Sequence, residues 1–97
     1  MFEVVLSPAA VRQYKRLPAS ARSLLKKTLT ERLANQDPRE EDRNRFRLRR
    51  FPPHADFELR VEQWRVFYRV QGNLVMVEVI GQKKGNALLI GGKEFKL

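Results

Sequence analysis

Ninety-seven residues, 42% of them hydrophobic, with five glycines and five prolines, specify one small globular domain spanning residues 1–97 rather than a disordered chain. The absence of cysteine excludes disulfides and thiolate metal sites, and a single histidine argues against a zinc site built by the protein, so no metal or cofactor is expected. Twenty Lys and Arg against eleven Asp and Glu leave a formal charge of +9, which points to a polyanionic partner; thirteen of the twenty cations are arginine, whose planar fork matches phosphate oxygens.

No apolar run approaches the roughly 20 residues that cross a bilayer. The N-terminus lacks the basic stretch and long apolar core of a signal peptide. A cytoplasmic protein without a membrane partner is therefore expected.

In chain order, FEVVL (2–6) has the β-branched and aromatic content of a strand. Ser7-Pro8 supplies a hydroxyl cap and a proline at the first helical position, which predicts a helix from Pro8 to about Arg16 that buries Val11 and Tyr14. Leu17-Pro18 ends it. A second helix is predicted from Ala19 or Ser20 to about Asn35, because Leu24, Leu25, Leu29 and Leu33 recur at helical spacing. The short link predicts an antiparallel helical hairpin.

After a charged loop at 39–45, RFRLRRF (45–51) alternates Arg45, Arg47 and Arg49 with Phe46, Leu48 and Arg50. This reads as a short strand with one strongly basic face. From Asp56 onward three strands form a meander: DFELRV, WRVFYRV and LVMVEVI, the last two joined at Gly72-Asn73. LVMVEVI, apolar at nearly every position, is expected to be central and buried on both faces. GQKKGN (81–86) reads as a basic loop holding Lys83 and Lys84, and ALLI (87–90) as a possible last strand. The order gives an α+β fold: an N-terminal strand, a helical hairpin, then a largely antiparallel meander packed on the helices with its other face open.

The stretch ELRVEQWRVFYRV (58–70) poses an electrostatic puzzle. If Glu62 and Gln63 form the turn, Arg60 falls opposite Arg65, and like charges facing across a strand pair are destabilising. The period of two puts Arg65, Phe67 and Arg69 on the open face, and Trp64, Val66, Tyr68 and Val70 in the core. A structural explanation stands beside a functional one, since Glu58 and Glu62 could pair with the two arginines diagonally. His54, after two prolines, reads as an exposed loop residue.

The segments SPAAVRQYKRLP, RLRRF, ELRVEQWRVFYRV and VIGQKKGN, in strand–helical hairpin–meander order, together resemble the RelE/ParE superfamily of type II toxins over essentially the whole chain. The most specific piece is LRV…WRVFYRV, which is similar to that family's central hairpin. The superfamily holds ribosome-dependent mRNA endonucleases and gyrase poisons. The resemblance implies that Arg65 supports a scissile phosphate and that Lys83 matches a second basic site residue. Two lysines of the type member fall on Asp56 and Glu58, and its C-terminal tyrosine falls near Leu89.

Metal-free RNA cleavage needs a ribose 2′-OH deprotonated and aligned on its own 3′-phosphate. The catalytic candidates are Arg65, Lys83 and Arg60 for the phosphate and Glu58 as a possible base. The candidates for RNA binding are Arg45, Arg47, Arg49, Arg50, Phe67, Arg69 and Lys84. The resemblance also implies a cognate antitoxin. Three functions follow as alternatives: an endoribonuclease acting on mRNA in the ribosome, a toxin that binds DNA gyrase, and a degenerate member that only binds antitoxin or nucleic acid.

Overall fold

The computed structural model describes residues 1–48, 55–91 and 93–96. Its elements are β1 (Glu3–Leu6), α1 (Pro8–Lys15), α2 (Ala19–Leu29), a π-helical turn (Thr30–Ala34), β2 (Arg45–Arg47), β3 (Phe57–Val61), β4 (Trp64–Gln71), β5 (Leu74–Lys84), β6 (Ala87–Ile90) and β7 (Lys93–Lys96). One sheet runs β2-β3-β4-β5-β6-β7, each neighbouring pair antiparallel. β1 adds to it in parallel, alongside the first part of β5 from Glu3↔Leu74 to Leu6↔Val77. β6 follows on the last part of β5, from Gln82↔Leu89 to Lys84↔Ala87.

Ser7 begins α1 as its sequence suggests. Its Oγ accepts from the Ala10 N–H at 3.0 Å and donates to the Glu78 carbonyl at 2.7 Å, so the cap also pins the helix to β5. Gln13 adds a second tie, its Oε1 accepting the Ile80 N–H at 2.7 Å. The Tyr14 hydroxyl donates to the Arg22 carbonyl and links the two helices. α2 ends earlier than expected, because the chain widens into the π turn, where the Asn35 N–H reaches back to the Thr30 carbonyl.

Between helices and sheet lies the main core, with Ala10, Leu25 and Leu33 against Leu59, Val66, Tyr68, Val75 and Val77. Each buried leucine contributes about 1.5–3 kcal/mol through area removed from water. Trp64 and Tyr68 are both in this core, as the alternation of β4 predicts.

The sheet departs from sequence expectation in three ways. First, the face away from the helices is not open throughout. Ala55, Phe67 and Leu88 form a second buried cluster there, flanked by Leu48, Val79 and Ile90. Second, β5 is not buried evenly on both faces. Met76, Glu78 and Val79 are only half-buried. A register shift places Phe67 opposite Val79 but Tyr68 opposite Val77, which leaves Glu78 as the extra residue of a bulge. Third, GQKK is strand rather than loop, since β5 continues to Lys84 and the turn is confined to Gly85-Asn86. The KEFK stretch pairs with β6 as β7.

Candidate phosphate-binding cleft

The β3–β4 connection is a two-residue turn. Glu62 takes a φ of 55°, a left-handed conformation that is uncommon without a glycine. The turn sets Val61 opposite Trp64 and Arg60 opposite Arg65, as the spacing predicts. Both arginines thus stand on the sheet face away from the helices. The turn also docks on β5: the Lys83 N–H donates to the Gln63 carbonyl at 2.7 Å, which brings Lys83 to the same place.

These residues border a cleft of about 160 Å³, lined by Phe46, Glu58, Arg60, Arg65, Lys83 and Leu88, with Phe67 beneath. Glu58 lies between the two arginines. Its Oε2 is 3.3 Å from Arg60 Nε and 3.6 Å from Arg65 Nε. Glu58 and Arg65 are largely sunk in the cleft, at 13% and 12% side-chain exposure, whereas Arg60 keeps 46%. The Arg60 guanidinium lies 4.8 Å from the centroid of the Phe46 ring, a cation–π contact that steadies it. Arg65 Nη1 donates to the Glu62 carbonyl at 2.6 Å and the Trp64 carbonyl at 2.9 Å.

Burial, and then the neighbouring Arg60 charge, lower the proton affinity of Arg65, while Glu58 acts in the opposite direction. A guanidinium keeps its charge in proteins all the same. With Arg60, Arg65 and Lys83 against Glu58, the cleft carries a formal +2. The pairing of arginine with glutamate anticipated from sequence is therefore present, but its partner is Glu58 for both arginines. Glu62 contributes its carbonyl.

Several candidate RNA contacts sit elsewhere. Arg45 and Arg47 pair with Leu59 and Phe57, so they share the helix-side face and not the face of Arg65. Arg45 is 2% exposed. Its guanidinium donates to the carbonyls of Glu40 and Arg32 and to Gln36 Oε1, which makes it a structural tie and not an RNA contact. Arg47 lies 4.7 Å over the Phe57 ring. Phe67, 2% exposed, is the floor of the cleft and has no free face on which a base could stack. Arg69 is on the expected face but is ion-paired to Glu78 at 2.6 Å. Lys84 is exposed at the end of β5. Arg49, Arg50 and His54 lie outside the described residues.

Two cleft residues, Phe46 and Leu88, were absent from the sequence candidates. Phe46 follows only once the structure puts Arg45 and Arg47 on the core side: in an alternating strand the residue between them faces the other way.

A family model described as the ParE toxin of the type II toxin–antitoxin system, parDE, matches residues 4–85. Among solved structures, a chain of the crystal structure of the intact E. coli RelBE toxin–antitoxin complex is similar in fold, with a TM-score of 0.57. The two chains share 20% identity, and the match covers 87% of this chain and 99% of that one. No curated protein matches the sequence.

Proposed function

The chain belongs to the ParE toxin family of type II toxin–antitoxin systems, and from that premise we propose that this toxin is a metal-independent endoribonuclease that cuts mRNA in the ribosome in the cytoplasm. In this reading the ribose 2′-OH attacks the adjacent phosphorus, a 2′,3′-cyclic phosphate forms, and the bond to the 5′-oxygen breaks, that oxygen leaving as a hydroxyl with a proton from water. Arg65 and Lys83 bind the non-bridging oxygens, where charge accumulates, and Arg60 adds a third cation at the rim. Glu58 is the one carboxylate among the described residues lining the cleft, which supports it as the group that takes the 2′-OH proton once the arginines release it.

One observation carries this reading. An in-register arginine pair with a lysine beside it, gathered in one cleft, keeps a formal +2 even with Glu58 counted, an excess that an added anion would offset. An mRNA phosphate is such an anion. Primer extension on mRNA after induction of the toxin tests the proposal. Codon-phased cuts are expected with the native chain and, with Arg65→Ala, a rate lower by about 10²–10³.

A second reading is favoured by the family model being that of ParE toxins. Here the chain binds DNA gyrase and cuts nothing. It predicts growth arrest with intact mRNA and trapped gyrase–DNA complexes, and that result would reject the nuclease. Either toxin works opposite a cognate antitoxin. A segment of that antitoxin carrying acidic residues suits the cationic cleft by charge.

A further inference from the structure

The electrostatic anomaly of the cleft is partly offset within the chain. The Arg60 and Arg65 guanidinia come from neighbouring strands, and both reach the same atom, Glu58 Oε2. A single carboxylate oxygen held by two arginines presents the pattern that a phosphate oxygen would present. The other groups leave little freedom around it: Arg65 Nη1 is held by two backbone carbonyls, and Arg60 rests on Phe46. The space is small as well. The cleft measures about 160 Å³ with Glu58 in place.

From this geometry we infer that Glu58 is a built-in anion occupying the phosphate subsite of the free protein, and that it must leave the Arg60–Arg65 gap before a phosphodiester enters. The inference rests on the reading that the cleft takes an RNA phosphate. It goes further by making occupancy of the subsite a competition between an internal carboxylate and the substrate. Glu58 keeps the two like charges together while the protein is empty, and in doing so weakens RNA binding. Release of its carboxylate on substrate entry then couples binding to the availability of the proposed base.

The test is equilibrium binding of a short 2′-O-methyl RNA, which has no 2′-OH to react. A chain that cuts no mRNA still returns an answer, so failure here and failure of the nuclease reading are distinguishable. Glu58→Gln keeps the shape and removes the charge. It is expected to bind about 5- to 10-fold more tightly than the native chain, because one charge contact no longer competes. Glu58→Ser, a smaller side chain without charge, must move affinity in the same direction. Glu3→Gln, at an exposed position opposite Leu74 at the far end of β5 from Lys83, adds the same unit of charge away from both the cleft and the basic helical face and is expected to change affinity less than twofold. Weaker or unaltered binding in Glu58→Gln, or an equal gain in Glu3→Gln, overturns the inference.

Discussion

The Tyr68 hydroxyl donates to the Pro38 carbonyl at 2.6 Å from a fully buried site, and its ring stacks on Phe57 with centroids 5.3 Å apart. Burial pushes the phenol well above its ordinary value of 10.0. The folded chain therefore keeps a proton that the unfolded chain gives up. The corresponding stability is complete below about pH 10 and falls as the pH rises above it, by up to about 1.4 kcal/mol per unit. Tyr68→Phe leaves the Pro38 carbonyl without its donor and is expected to cost about 1–3 kcal/mol at neutral pH. Because the variant has no phenol to ionise, its deficit against the native chain should shrink between pH 9 and pH 11. Urea midpoints at the two pH values measure it, and a constant gap would rule the account out.

At the scale of the element, β5 determines the geometry of the site. It carries β1 on its first half and β6 on its second, and the bulge at Glu78 lets Val75, Val77 and Ile80 all reach the helix-side core. Gly81 then permits β6 to come close opposite Arg65. A Cβ there would stand 3.0 Å from the Leu89 carbonyl oxygen and 3.1 Å from both Ile90 Cγ1 and Leu88 Cδ1. Because one of these neighbours is backbone, Gly81→Ala must displace β6 and with it the Leu88 wall of the cleft. A loss of about 1–3 kcal/mol is expected in denaturant unfolding, with reduced RNA binding.

Strand alternation made much of this fold legible. The Arg60–Arg65 register followed from a two-residue turn, and the burial of Trp64 and Tyr68 followed from period two. Arg45 shows where that reasoning stopped. Nothing local says which face of RFR meets the helices, because the guanidinium is buried through carbonyls at positions 32 and 40 that only the tertiary fold brings near. The strand character of GQKK was hidden for a related reason. Its pairing with β6 follows the end of the apolar run at Ile80, so hydrophobicity no longer marks it. Phe67 fell under the second cluster because Leu88 and Ala55, distant in sequence, cover it.

For the whole molecule, the charge of +9 is divided between two faces. Residues 8–34 contain seven Lys and Arg and one Glu, and of these Arg12, Lys15, Arg16, Lys26 and Lys27 are exposed on the helices. None of those five is in an ion pair among the described residues. The cleft lies on the other side of the sheet from the helices, while charges are screened over about 8 Å at physiological salt. The two regions therefore act on a polyanion almost independently. In the proposed nuclease, loose retention of nucleic acid would then fall mainly to the helices, and chemistry to the cleft. Replacing Lys15, Arg16, Lys26 and Lys27 together by Gln is expected to reduce the salt slope for single-stranded RNA by up to about 2.8, at ~0.7 for each lost contact. Arg65→Ala should lower that slope by no more than about 0.7 while abolishing the cuts seen by primer extension. Should Arg65→Ala alone remove most of the salt dependence, RNA is held in the cleft and the helical charge serves only to solvate the surface.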